Sequence, residues 1–254
     1  MRPLTSNLHC RKIDVVNIES KVGNSWRIKF AIFLFVLLPL FFTPSVTAQT
    51  HDPWRDANER IFAFNDYFDL LLVRPLASSY TIFIPQLIRQ GVGNFFDNVR
   101  DANIAVNELL QFKFRDALSD TGRFLINTTI GIGGIIDIAT SLGLEKHEED
   151  FGQTLGTWGV SSGPYVVLPV FGASNLRDSF GLILDTIFNP LPYIDETPAK
   201  LTFFVVEEID SRSALLALDE LIGGDKYLFV REAYAQNRNY LVNDGEIGDE
   251  FSDF

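Results

Sequence analysis

Four short segments of this chain carry residue types that chemistry uses, and each can be held against the spacing that chemistry requires. Gly159-Val160-Ser161-Ser162-Gly163 matches G-x-S-x-G, the turn that lifts a nucleophilic serine out of a hydrolase sheet. That turn needs a strand before it, a helix after it and a histidine further downstream. Here Pro164-Tyr165-Val166-Val167 follows, which is extended in character, and the last histidine, His147, comes before the serine. A phospholipase built on Ser161 would therefore lack its base. Asp150-Phe151-Gly152 spells the kinase metal-binding triplet, but no H-R-D loop or V-A-I-K strand accompanies it. Gly131-Ile132-Gly133-Gly134 lacks the third glycine that a dinucleotide fold places, so a turn or a close helix contact is expected. In His147-Glu148-Glu149-Asp150 adjacent side chains point different ways and no second His lies three or four residues off, so the expectation is a solvated loop and no metal. With no nucleophile, acid–base pair or metal cluster that stands up to its spacing, the residues point away from an enzyme and need no cofactor. Binding and transport fit better.

The elements that position these segments lie on either side of one run, Arg123 to Pro169, where glycines punctuate short apolar pieces. Glycine costs entropy in a helix and belongs where φ must be positive or another backbone comes close. Gly131, Gly133, Gly134, Gly152, Gly156, Gly159 and Gly163 thus predict tight turns and close packing. Before this run, Asp52-Pro53 suggests a helix start, with Asp as N-cap and Pro at the first position, leading to about Tyr67. From Pro85, apolar Leu87, Ile88, Val92, Phe95, Phe96 and Val99 recur at steps of three and four, opposite Gln86, Arg89, Gln90, Asn94 and Asn98. Ile104, Ala105, Leu109 and Leu110 read as the next helix, and Ala117, Leu118, Thr121, Phe124, Leu125 and Thr128 as the face of another. After it, Leu176, Phe180, Ile183, Leu184, Ile187 and Phe188 form a helical face stopped by Asn189-Pro190. Leu201-Thr202-Phe203-Phe204-Val205-Val206, apolar nearly all round, predicts a helix that is buried or faces lipid. Tyr227 to Leu241 makes the last helix, and Tyr165-Val166-Val167-Leu168 is the one good strand candidate. The result is a mainly α chain with one domain over 49–242.

Composition narrows the partners. The 254 residues are 46% hydrophobic, include 23 Phe, and carry a formal net charge of -12. Arg27 and Lys29 precede the apolar run Phe30 to Phe42, and Val46 and Ala48 sit where a signal peptidase wants small residues. Residues 1–48 are expected to be a removed signal or leader segment, with the mature chain starting near Gln49. That segment holds six of the 21 basic residues and two of the 33 acidic ones, so the mature chain is still more acidic. Nucleic acid, which needs a basic footprint, is excluded as a partner. Residues 243–254 contain five acidic residues and no basic one, and predict a solvated, disordered acidic tail. The single cysteine, Cys10, lies upstream of the apolar run, so the mature chain has no disulfide and no thiol. No run in the mature chain reaches the 18 or more apolar residues of a spanning helix. The helices then allow two readings: a soluble bundle with an ordinary core, or helices lying in a membrane interface with their apolar faces in lipid.

The order RFLINTTIGIGGIID, EDFGQTLGTWGVSSGPYVVLP and FGASNLRDSFG closely resembles the VacJ/MlaA family. So do DPWRDANERIFAFNDYFD and NELLQFKFRDAL upstream and VREAYAQNRNYLVNDGE downstream, and the resemblance covers about Asp52 to Glu246. It implies a ring-like domain of amphipathic helices with a glycine-rich hairpin, sunk in the inner leaflet of the outer membrane on its periplasmic face. It implies non-enzymatic phospholipid transport: lipid mislocalised to the outer leaflet enters an amphipathic channel and is handed to a periplasmic lipid carrier, beside a trimeric porin. A porin-associated envelope protein without lipid flux is the alternative. By the same resemblance Gly131, Gly133 and Gly134 form a gate, and Phe64 and Asn65 border the passage. Asp150, Gln153, Arg177 and Asp178 line the channel or supply ion pairs that hold the ring. Family members carry an acylated cysteine directly after the apolar run. Cys10 departs from that pattern, so attachment through the helices or a partner is expected.

Overall fold

The computed structural model describes residues 52–189, 191 and 197–245, all within one unit of contacts, Ser45–Phe254. The leader expected over 1–48 and the acidic tail beyond residue 245 lie outside the described residues. The described chain is mainly α, as the periodicity predicts, with one small sheet.

Helix α1, Arg55–Phe68, runs through a π turn, Asp69–Val73, directly into α2, Arg74–Phe83. Pro75 sits in the first turn of α2, where its missing N–H costs nothing. The expected cap at Asp52 is not made; α1 is entered at Trp54. Asp52 instead accepts hydrogen bonds from Asn58 Nδ2 at 2.8 Å and from the Tyr227 hydroxyl, so it serves a contact 175 residues away. Two helices expected between residues 85 and 110 are one, α3, Gln86–Leu110. The polar residues Arg100, Asp101 and Asn103 interrupt the apolar spacing without breaking the helix, because Asp101 is itself fully buried. After the turn at Phe112, α4, Phe114–Thr129, packs back on α3.

The glycine-rich run holds more helix than its glycines suggest. Helix α5, Ile138–Ser141, is capped by the Asp137 carboxylate, which accepts from the Thr140 amide. Helix α6, Phe151–Thr157, is capped by Asp150, which accepts from the Gln153 amide. Strand β1, Tyr165–Leu168, forms where expected and pairs antiparallel with β2, Gly172–Asn175, which the sequence pattern does not announce. Gly-Ala-Ser-Asn has little strand character, and tertiary contact overrides that weakness. Asn175 caps α7, Leu176–Phe188, which crosses α6; α8, Thr197–Leu215, lies against α2 and α3, and a 3-10 turn, Leu216–Leu221, follows. Helix α9, Lys226–Val242, packs on α6 and β2.

The sheet has two strands of its own and a third edge made of side chains. Asn58 donates to the Tyr165 carbonyl at 3.0 Å and accepts from the Val167 amide at 2.9 Å, and seven residues on, Asn65 does the same for Leu168 (2.9 Å) and Val170 (2.9 Å). A spacing of seven puts both amides on one face of α1. Tyr165 and Val167 then seat a small apolar cluster with Tyr227, against Ile61, Phe62 and Leu228.

Asn58→Ala should destabilise the fold by about 1–3 kcal/mol, because it strands a buried amide and a buried carbonyl of β1. Denaturant unfolding of the purified chain checks this. Asn65→Ala, at the exposed end of the hairpin, should cost less, and equal costs would contradict the side-chain edge.

Candidate functional site

Polar and charged side chains make up about half of the buried residues. The largest fully buried ones are Arg123, Glu108, Asn107, Thr154, Asp101 and Asp120. Of the α4 face read from the sequence, Leu118 (75% exposed) and Leu125 point outward and Ala117 is buried, while Arg123 is 2% exposed. The inward face is Ala117, Asp120, Arg123 and Asn127, at helical spacing. On α7, Phe180, Ile183 and Ile187 are exposed and Arg177 is buried. Phe83 and Leu87, where α2 meets α3, are each 78% exposed, and none of the described residues of α8 is buried. Three loop tips repeat the pattern: Phe112, Ile132 and Val170 hold positive φ and are exposed. Bulky residues rarely accept that conformation, so their presentation is imposed by the surrounding structure.

Arg123 is the centre of the interior. Its Nη1 donates to Thr140 Oγ1 and to the Leu144 carbonyl, both at 2.9 Å, and Nη2 donates to Asp137 Oδ2 at 3.2 Å. Its Nε lies 3.5 Å from Asp101 and 3.7 Å from Asp120. One guanidinium thus joins α3, α4, α5 and the loop after it. Burial pushes the Asp101 carboxyl up to about 6 in spite of Arg123. Burial would also raise Asp137, but hydrogen bonds from Thr140 and Asn127 and the Arg123 charge outweigh it and hold it at about 2. A second junction is Asp185, which accepts from Asn103 (2.8 Å), Asn107 (3.2 Å) and the Phe151 amide (3.0 Å), tying α7 to α3 and α6.

The three predicted gate glycines form a run of turns between α4 and α5. Gly131 sits where a Cβ would overlap the Ile136 carbonyl. Gly134, at φ +91°, leaves no room beside Asn98, whose Nδ2 donates to Thr128 Oγ1 at 2.9 Å. Gly133, at φ +68°, has open space around it. Asn94 Nδ2 reaches the Ile135 carbonyl at 3.0 Å, so the run is held to α3 at its far end as well.

Asp150, Arg177 and Asp178 come together, with three residues that the sequence reading does not single out. Arg238 from α9 reaches both oxygens of Asp150 (2.5 and 2.9 Å) and lies 2.8 Å from Asp178. Arg177 Nε donates to Asp178 at 2.8 Å, and the Tyr234 hydroxyl (2.5 Å) and Asn175 Nδ2 (2.6 Å) donate to it as well. Burial would raise the Asp178 carboxyl, but Arg238 and Arg177 reverse this and lower it. Tyr234 and Arg238 share a face of α9 by their spacing of four, a legible sign; their partners lie too far off in sequence to be read. Gly152 and Gly181 make the junction close: a Cβ at Gly181 would overlap the Gly152 nitrogen. Gln153 is buried beside this group and donates to the Glu148 carbonyl at 3.1 Å. Phe64 stands elsewhere, exposed and stacked on Phe68, and Asn65 clamps the hairpin.

The enzyme-like motifs resolve into structure. Ser161 lies between α6 and β1, with helix before and strand after, the reverse of a nucleophile elbow. Asp150 of Asp-Phe-Gly is a helix cap. The His147 segment is no mere solvated loop: His147 Nδ1 lies 2.6 Å from Asp120 Oδ2, and its ring faces Glu108 and Asp116.

Such an arrangement defines a helical protein with exposed apolar helix faces, in which no helix among the described residues is long and apolar enough to cross a membrane. The family model of the MlaA lipoprotein matches residues 50–241. The intermembrane phospholipid transport system lipoprotein MlaA of Escherichia coli is 36% identical over 202 residues, 77% of this chain and 80% of that one. An uncharacterised protein of Rickettsia typhi is 35% identical over 198 residues, 76% of this chain and 79% of its own. A solved chain from work on the structural basis for maintenance of bacterial outer membrane lipid asymmetry matches with TM-score 0.68 at 36% identity, over 76% of this chain and 99% of that chain. The chain belongs to the MlaA family.

Arg123→Met should cost about 3–5 kcal/mol, since it leaves Asp101 and Asp120 buried without their cation. The shift in denaturant midpoint measures it. A loss under about 1 kcal/mol would show that the guanidinium does not hold the helices.

Proposed function

We propose that this protein is the outer-membrane component of a phospholipid transport system that maintains lipid asymmetry. The observation that carries the reading is the inversion of α4 and α7, whose apolar stripes face out while charged residues are buried. A large exposed apolar surface marks a partner or a membrane, and the names of the Escherichia coli relative and the solved neighbour supply which. The helices lie in the inner leaflet of the outer membrane with apolar faces in the acyl region, and the strained tips Phe112, Ile132 and Val170 add anchoring area. A passage between helices needs an apolar track for acyl chains and a polar one for the headgroup, and no covalent chemistry. Lipid taken from the outer leaflet passes through it to a soluble periplasmic carrier, beside a trimeric porin.

Within that reading Asp150, Arg177 and Asp178 act with Arg238 as the ion pairs that hold the helices together. Their mutual distances support this role over an open lining, with Gln153 packed behind them. Phe64 and Asn65 border the passage next to the hairpin. Gly131, Gly133 and Gly134 form the gate, and their fit against Asn98 and Ile136 gives the segment a defined resting position.

Gly133→Val separates gate from turn. Open space surrounds Gly133, so the valine meets no clash and pays only for positive φ, on the order of 1 kcal/mol or more. The variant should stay folded and membrane-associated while outer-leaflet phospholipid, measured by surface labelling of cells at normal protein level, departs from wild type. An unchanged lipid distribution would show that the glycines are only a turn. Mass spectrometry of the purified wild type that found no bound phospholipid would favour a structural, porin-associated role.

A further inference from the structure

Glu108, near the end of α3, is a buried acid without a counterion. Its side chain is 1% exposed, and among the described residues no nitrogen or hydroxyl donates to either carboxylate oxygen, the Asp120 carboxyl being its hydrogen-bonding neighbour. Oε1 points at His147 Nδ1, 3.4 Å away. The same ring nitrogen lies 2.6 Å from Asp120 Oδ2, and Nε2 lies 3.9 Å from Asp116 Oδ1. Asp120 Oδ1 also lacks a hydrogen-bond partner among the described residues. The nearby cations are committed: Arg123 serves Asp101 and Asp137 as well as Asp120, and Lys113 pairs with Glu149 and Asp244. At most one positive charge, on His147, faces three carboxylates. Taking an ionised carboxylate out of water without a partner is costly, so a proton or a metal ion must compensate.

We propose that Glu108, Asp116 and His147 bind one divalent transition-metal ion, the imidazole ligating through the Nδ1 that faces Glu108, so that the ion takes the place of the Nδ1 hydrogen bond to Asp120. One donor atom from each of the three lies within 4.8 Å of the others. Bonds of ~2.0–2.2 Å to a common ion need donors ~3–4 Å apart. Asp116, on the first turn of α4 and partly exposed, has the freedom to close that difference. An imidazole among carboxylates suits Zn2+ or Mn2+, whereas Mg2+ and Ca2+ favour oxygen donors throughout. Burial, and next the charge of Asp120, raise the Glu108 carboxyl. Since the three ligands come from α3, α4 and the loop before α6, the ion would lock that loop beside the Arg123 hub. This goes beyond the transport reading and does not depend on it.

The test uses the untagged full chain in detergent, stripped with chelator and titrated with Zn2+ alone. Calorimetry should show about one strong site per chain, and Tm should rise with Zn2+ but not with equal Mg2+ or Ca2+. His147→Gln and Asp116→Asn should each weaken binding by about tenfold or more. Glu108→Gln should abolish the Zn2+ response while removing the unpaired charge, so that its metal-free Tm matches or exceeds that of wild type. No stoichiometric binding by wild type, or binding unchanged in Asp116→Asn and His147→Gln, would overturn the proposal. It would leave a proton on Glu108 as the compensating charge.

Discussion

The Arg123 guanidinium is the contact from which the helical frame is built. It sits at the meeting of α3, α4 and α5, and its donors have no water to turn to, so each neighbour is a carboxylate, a hydroxyl or a backbone carbonyl. A buried ion pair of this kind adds little stability over an apolar pair of equal shape, yet removing either side is expensive. What it fixes is orientation. With Asp120, Arg123 and Asn127 drawn inward on one stripe of α4, Leu118 and Leu125 must face the other way, whereas on α3 Asp101 shares the inward face with Phe96, Val99 and Ile104. The apolar exterior follows from the polar interior.

The close crossing of α6 and α7 extends that logic. Two glycines let the backbones meet, which brings Asp150 and Asp178 to the same Arg238 and leaves Phe180 and Ile183 outside. Small residues at a helix contact with charges satisfied inside and bulky apolar groups outside suit a protein that has lipid as part of its solvent. The proposed transport needs just this: a frame held by buried polar contacts beside a small apolar core, with apolar surface left free for acyl chains.

Much of the fold is legible in the sequence. Helical periodicity locates α4, α7 and α9 to within a few residues and covers α3 as two pieces, and the family motifs single out Asp150, Arg177 and Asp178. What periodicity does not carry is its sign, because an amphipathic pattern says which residues share a face and is silent on which face is buried. Leu118 and Leu125 fit a core face or a lipid-facing one for that reason. Asn58 and Asn65 announce themselves by a spacing of seven, but only β1 shows what they clamp. Arg238 and the Glu108–His147 contact are out of reach, since partners 88 and 39 positions apart leave no local trace. Strand β2 escapes notice because Gly-Ala-Ser-Asn pairs through its neighbour and not through its own propensity.

The central claim is that the outward apolar stripes face lipid, and site-directed spin labelling measures this directly. Single cysteines at Phe83, Leu118 and Ile183, placed in a chain without Cys10 and reconstituted in phospholipid vesicles, would each carry a nitroxide. The account predicts high collision rates with dissolved oxygen and low ones with a water-soluble nickel chelate at all three positions, with a label at the exposed Asp56 showing the opposite. Nickel accessibility at the three sites equal to that at Asp56 would place the stripes in water and contradict the account.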